Sequence, residues 1–210
     1  MILNGSTTDL RPDLVGPLSE VIGSVADLAV AHGLTVLTGA TDAGIFSILG
    51  AAMDDRSAPL VGVAPAGLVD RPGAAPAGEH GTNRQSLESH HSHFVLVDGD
   101  QWGVETPALL ALADALGARA PSAAVLCGGG DGARTEVLGH GRAGRPIVVI
   151  AGSGRFADAL AAAAAQPDDR RDPDMAEIIG RSAVVVCRIE DGPPAITAAL
   201  RAALGLTGPK

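Results

Sequence analysis

Aromatic residues are nearly missing from this chain: tyrosine is absent, tryptophan occurs once, and the aromatic share is 2%. A ligand held by stacking has only Trp102, Phe46, Phe94 and Phe156, or the flat faces of arginines, to rest on. Cysteine is almost as scarce. Cys127 and Cys187 lie in apolar runs, far from any CxxC or CxxH spacing, which argues against a disulfide framework and reads as two buried free thiols. Positive charge is also short: 15 Lys+Arg against 24 Asp+Glu give a formal net charge of -9. No basic stripe forms, so nucleic acid is not expected as a partner. Every apolar stretch is interrupted by Gly, Pro or a charge before the roughly 18 to 20 residues of a membrane span, so no membrane insertion is expected. The opening Met1-Ile2-Leu3-Asn4-Gly5 lacks the basic and apolar regions of a signal peptide, and a cytoplasmic location follows as the expectation.

Glycine, in contrast, is plentiful, with 28 residues, and its placement is patterned. Four glycine-bearing turns recur, each between an apolar β-type run and a helical run: Asn4-Gly5-Ser6, Gly39 to Gly44, Gly128 to Gly132, and Gly152-Ser153-Gly154-Arg155. Glycine lets backbone approach a ligand closely, and a helix starting at such a turn aims free N–H groups and its positive dipole end outward. Several such turns along one sheet edge would make an anion site.

The 46% hydrophobic content and mean hydropathy of +0.26 supply a large core, and 210 residues suit a single α/β domain spanning 1–210. Strands are predicted at 1–3, 34–38, 60–64, 93–97, 123–127, 146–151 and 183–189. Helices are predicted over about 17–32, 45–53, 107–116, 133–141, 155–165 and 194–204. Apolar strands without polar alternation, separated by helices, indicate a parallel sheet covered on both faces. The predicted fold is therefore α/β, Rossmann-like and doubly wound, with a mainly parallel sheet of about seven strands. Ligands in such sheets sit outside the strand carboxyl ends near the switch point, where the four turns would lie. Residues 65–92 carry many Gly, Pro and His without periodicity and read as a long loop that contributes ligand contacts.

Individual residues sharpen the site. Three consecutive glycines, Gly128, Gly129 and Gly130, cost more conformational entropy than a mere turn requires. Arg155 opens a helix, where the dipole disfavours a cation unless an anion lies nearby; a phosphate held by Ser153, the Gly154 N–H and Arg155, or an ion pair to Asp158, would explain it. Four of six histidines, His80, His90, His91 and His93, crowd the long loop, but no Cys or helical His-x-x-x-His partner accompanies them and no metal is expected. His91 and Ser92 read as polar edges of the pocket or as loop-anchoring hydrogen bonds. Glu136, in the helix after the glycine run, is a candidate general acid or base if it faces the cleft, and otherwise a first-turn acid stabilised by the helix dipole.

Six ordered segments resemble the SLOG superfamily, most closely the branch shared by standalone prokaryotic domains and the N-terminal homology region of melastatin-type TRP channels. They are Thr38 to Gly44, Val61 to Pro65, His91 to Asp98, Trp102 to Glu105, Gly128 to Gly132 and Gly152 to Asp158. The resemblance implies a Rossmann-like fold that binds nucleotides or nucleotide-derived signals such as ADP-ribose and its cyclic forms. By position it implies a pocket including Thr41, Trp102, Gly129, Gly154 and Arg155. The same superfamily includes the Lonely Guy phosphoribohydrolases, and Gly128 to Glu136 resembles their Pro-Gly-Gly-x-Gly-Thr-x-x-Glu signature with Gly128 and Ala133 replacing Pro and Thr. Glu136 is retained, whereas 105–116 contains none of the arginine those enzymes place on the preceding helix. Ala40 stands where the family often has glycine, and Asn4 replaces another.

The expected function is thus binding or sensing of a nucleotide-derived ligand, with no further cofactor required. Expected contacts are Asn4, Gly5, Ser6, Gly39, Thr41, Asp42, Gly44, Pro65, His91, Ser92, Trp102, Gly128, Gly129, Gly130, Gly132, Gly152, Ser153, Gly154 and Arg155. The alternative is a nucleotide hydrolase of the phosphoribohydrolase or N-glycosidase type using Glu136. No fused effector module is expected, so signalling is expected to pass through a homodimer or an effector protein in trans.

Overall fold

A computed structural model of the chain describes residues 1–6, 10–54, 57–70, 84–166 and 172–206. Its strands are β1 (Ile2–Gly5), β2 (Val36–Thr38), β3 (Leu60–Pro65), β4 (Val69–Asp70), β5 (Gln85–Ser86), β6 (His93–Val97), β7 (Ala124–Cys127), β8 (Ile147–Ala151) and β9 (Val184–Arg188). The helices are α1 (Pro12–His32), α2 (Ile45–Met53), α3 (Thr106–Gly117), α4 (Asp131–Arg142), α5 (Arg155–Ala165), α6 (Pro173–Arg181) and α7 (Gly192–Ala203). Seven strands form one parallel sheet in the order β6-β3-β2-β1-β7-β8-β9, while β4 and β5 make a separate parallel pair. The chain runs outward from β1 to β6, then returns to β7 on the other side of β1. The β1/β7 junction is the switch point at which a crevice must open.

Alternation along the strands sends successive side chains to opposite faces. Leu3, Val125, Val148 and Ile150 pack under α1, α2 and α7, whereas Ala124, Leu126, Ile147 and Val149 pack under α4, α5 and α6. Ile2, Leu37 and Val63 complete the second face against Leu109 and Ala113 of α3. Both faces are buried, which is why these strands read as continuous apolar runs. The two thiols, Cys127 and Cys187, are free and buried, and burial pushes the Cys127 thiol up to about 12.

The structure differs from the sequence reading in four places. Helix α1 starts at Pro12, which takes the first helical position, so Pro17 lies inside it. The resulting 21-residue helix is long and apolar enough to cross a membrane by length and composition, although its Leu18, Val21, Ile22 and Val25 are core residues here. Helix α6 lies in a stretch read as irregular, capped by the Asp172 carboxylate accepting from the Asp174 and Met175 N–H groups. Arg134 ties it to α4 through Asp172 and Asp174. Residues 65–70 and 84–92 are not plain loop: they hold a short 3-10 turn, β4 and β5. The rest of that predicted loop, His80 included, lies outside the described residues.

At the switch point β1 and β7 approach so closely that a Cβ on Gly5 would stand 2.1 Å from the Cys127 carbonyl oxygen and 2.3 Å from Ile45 Cδ1. Gly5→Ala is therefore expected to cost about 2 kcal/mol or more, lowering Tm by roughly 5 °C in a thermal melt. A shift within error would contradict this packing.

Candidate functional site

A cavity of about 600 Å³ opens where the carboxyl ends of β1 and β2 meet the amino end of α4. Gly5 and Ser6 form its floor, and Gly39, Thr41 and Ala43 of the turn after β2 form one wall with Phe46. Trp102, Gly103, Glu105 and Thr106, at the approach to α3, form the facing wall. Residues 130–133 of α4, with Thr135, Glu136 and the incoming Arg155, close the end, and Gln85 of β5 reaches in from the excursion after β3.

The glycine turn after β7 organises this end by satisfying its own backbone. The Gly128 N–H donates to Ser153 Oγ at 2.8 Å and the Gly129 N–H to Ser6 Oγ at 2.7 Å. Their carbonyls accept from the start of α5, Phe156 N–H to Gly129 at 3.2 Å and Ala157 N–H to Gly128 at 2.9 Å. Both glycines have positive φ, 64° and 96°, and a Cβ at either would collide with Ser6 Oγ or the Ala133 methyl. The consequence is an asymmetry between two helix ends. The Phe156 and Ala157 N–H groups of α5 are consumed inside the fold, while those of residues 131–133 at α4 have no intrahelical acceptor and border the cavity.

Arg155 belongs to α5 but serves the α4 end. Its Nη2 lies 3.1 Å from where a Gly130 Cβ would stand, so the guanidinium covers the start of α4. Asp158, a candidate ion-pair partner by sequence, accepts the Gly152 N–H at 2.6 Å. Among the described residues the two non-glycines with positive φ are Ala40 at 66° and Arg155 at 52°, and both stand at this edge of the sheet. Left-handed backbone at a side-chain-bearing residue costs about 1 kcal/mol or more and is concentrated at functional sites.

Glu136 faces the cavity one turn into α4 and accepts a hydrogen bond from Asn4 Nδ2 at 2.7 Å. Burial pushes its carboxyl up from 4.5 to about 7, the Glu105 charge adds to the rise, and the Asn4 bond opposes it. Glu105 itself accepts the Gly103 N–H at 2.8 Å, which fixes the turn that carries Trp102. Trp102 is 41% exposed at the cavity mouth.

Of the residues singled out by sequence, Gly5, Ser6, Gly39, Thr41, Trp102, Gly130, Gly132, Glu136 and Arg155 line the cavity. Asn4 is fully buried behind it and reaches it through Glu136. Gly128, Gly129, Gly152, Ser153 and Gly154 build the turns behind it, with Ser153 Oγ bonded to the Ile150 carbonyl as well as the Gly128 N–H. Asp42 accepts from Ser47 Oγ and Gly44 caps α2. Pro65 ends β3, paired with Val97 of β6. His91 and Ser92 are loop anchors: His91 is buried against Thr38 and Glu88, and Ser92 brackets both backbone groups of Leu60, at the amino end of β3. Sequence reasoning missed Glu105, Thr106, Gln85 and Thr135. Of these, only Glu105 carried a signal, as the last residue of the Trp102 to Glu105 segment that resembles the family.

The fold agrees with what related proteins share. A family model described as SLOG in TRPM, prokaryote, matches residues 1–196. The transient receptor potential cation channel subfamily M member 2 of Mus musculus and that of Rattus norvegicus are each 30% identical over 174 residues, 67% of this chain and 12% of the channel. The chain thus matches about an eighth of those relatives' length. Among solved structures, the structural-genomics target TM1055 superposes with a TM-score of 0.61 at 18% identity, covering 94% of this chain and 97% of that one. The molybdenum cofactor binding protein of Rippkaea orientalis gives 0.59 at 11% identity, covering 96% of this chain and 94% of that one. The molybdenum cofactor carrier protein of Chlamydomonas reinhardtii gives 0.53 at 12%, covering 95% and 96%. At these identities the likenesses establish a shared Rossmann-like α/β fold. Given the match over residues 1–196, the chain belongs to the SLOG family, in its prokaryotic SLOG-in-TRPM branch.

Proposed function

We propose that the cavity binds a nucleotide-derived ligand, with ADP-ribose, its cyclic forms and NAD-related compounds as the class to test, and that the protein acts as a sensor. One observation carries this reading: the open amino end of α4 and the Arg155 guanidinium converge on a single cavity. Three backbone N–H groups and a helix dipole favour an anion at that end, and a guanidinium supplies charge-assisted hydrogen bonds to phosphate oxygens. Glu136, held by the Asn4 amide, faces the space beside it, where a ribose hydroxyl finds an acceptor. Trp102 at the mouth offers a flat face to a base or a ribose.

A second reading, hydrolysis of an N-glycosidic bond, is favoured by Glu136 alone. A carboxyl poised near neutrality inside a cavity is suited to general acid–base work. The arginine missing from α3 has a substitute in Arg155, which reaches the same end from α5.

Calorimetric titration with ADP-ribose should show saturable binding, and Arg155→Ala should weaken it by about 2 kcal/mol, roughly thirtyfold; equal affinity in the variant would remove Arg155 from the site. Incubation with AMP, followed by chromatography, decides the second reading: adenine release abolished by Glu136→Gln supports it, and a flat trace over hours ends it. The raised carboxyl also predicts a stability signature. A carboxyl whose folded value lies above its unfolded one stabilises the fold below about pH 4.5, and that contribution is lost as pH rises through about 7. Glu136→Gln should therefore stabilise the fold at alkaline pH by on the order of 3 kcal/mol, read as a raised Tm, and change little in acid. An equal effect at both pH values would contradict the buried titration.

A further inference from the structure

Thr38, at the carboxyl end of β2, is fully buried, and its hydroxyl is engaged twice: Oγ1 lies 2.6 Å from His91 Nε2 and accepts the Ala40 N–H at 3.0 Å. The other ring nitrogen, His91 Nδ1, lies 2.8 Å from Glu88 Oε2. Glu88 is buried at 3% exposure, its second oxygen takes His90 Nδ1 at 2.5 Å, and its N–H donates to the Ala40 carbonyl at 2.9 Å. Proton placement follows from these contacts. The Glu88 carboxylate can only accept, so His91 Nδ1 carries the ring proton and donates to it; a neutral ring leaves Nε2 bare, and the Thr38 hydroxyl donates to it while accepting the Ala40 N–H. Burial holds the imidazole neutral, consistent with that wiring.

The relay closes on Ala40 from both sides, with Thr38 on its N–H and Glu88 on its carbonyl. Ala40 is the alanine with φ of 66°, where a family glycine would adopt the same backbone without strain. Gly62 leaves room for it, since a Cβ there would stand 2.4 Å from the Ala40 methyl and 3.0 Å from His91 Cδ2. The next residue, Thr41, bridges to Leu87 and lines the cavity. Its Oγ1 is buried and finds no hydrogen-bond partner among the described residues.

We propose that Thr38, His91 and Glu88 form a positioning relay that locks Ala40 in the left-handed conformation and so holds Thr41 Oγ1 in the cavity wall as an unspent hydrogen-bonding group for the ligand. The consequence for binding rests on the ligand reading of the cavity; the relay itself stands on these hydrogen bonds. None of the three residues touches the cavity, so they act through the turn. Loss of the Thr38 hydroxyl leaves a buried Ala40 N–H without an acceptor, and the turn relaxes away from the strained conformation.

Nitrogen-15 NMR of the ligand-free protein near neutral pH tests the relay first. His91 should show the neutral tautomer protonated on Nδ1, and Thr38→Val should displace the backbone amide signals of Ala40 and Thr41 while Thr38→Ser leaves them near their native positions. Titration with ADP-ribose in the cold, where the variants are folded, should show about tenfold or greater loss for Thr38→Val and for Thr41→Val, with Thr38→Ser restoring binding. A proton on Nε2, unmoved Ala40 and Thr41 signals in Thr38→Val, or equal loss in Thr38→Ser and Thr38→Val would overturn the relay. The expected tautomer and amide shifts in a protein that gives no heat with ADP-ribose would uphold the relay and refute the ligand reading instead.

Discussion

The structure depends on how the turn after β7 disposes of its hydrogen bonds. Gly128 and Gly129 give their N–H groups to two serines from neighbouring strand ends, and their carbonyls to the first N–H groups of α5. Backbone groups buried at a sheet edge must be paired, and here one turn pairs four of its own and caps a helix at once. This leaves α4 as the helix whose amino end meets open space at the β1/β7 switch point. Ser6 and Ser153, from the turns that follow β1 and β8, become struts of the same assembly. A cavity with a directed positive end results from satisfying the backbone elsewhere.

Around that end the charges are arranged with economy. Arg155 comes from the helix whose own N-terminus is occupied, and its guanidinium is carried across to α4, adding a cation where the dipole already favours an anion. Deeper in, Glu136 is held by a buried asparagine and kept near neutrality by desolvation, with Glu105 raising it further. The site therefore offers an anion-binding end, a protonatable carboxyl and a tryptophan at the mouth within one space. Those three surfaces are the ones the proposed nucleotide ligand would need for its phosphate, ribose and base. It also explains why binding and N-glycosidic hydrolysis are the two chemistries in contention: they differ in whether Glu136 only accepts ribose hydroxyls or also moves a proton.

Much of the fold was legible because its central strands are buried on both faces and its strands read as apolar runs separated by helices; the seven parallel strands and the glycine turns at the carboxyl ends of several follow from that pattern. What escaped was set by tertiary contacts. Helix α6 is short and leans on Arg134 of α4, and its Asp172-Pro173 cap went unread in a stretch without clear periodicity. Pro17 suits a first helical position, but Pro12, five residues earlier, takes that place and leaves Pro17 inside α1. The glycine motifs revealed where a ligand end would lie but not which N–H groups remained open, since Gly128, Gly129 and Ser153 are spent on each other's neighbours. His91 was legible as either pocket edge or anchor; its ring contacts with Thr38 and Glu88 make it an anchor. Glu105 and Gln85 reach the cavity from segments whose approach is decided by topology, not by local pattern.

The most direct test of the central claim is a crystal structure of the protein with ADP-ribose. The account predicts density in the cavity, with phosphate oxygens on the N–H groups of residues 131–133 and on Arg155, and the ribose beside Glu136. A ligand seated instead on the amino end of α5, or outside this cavity altogether, would contradict it.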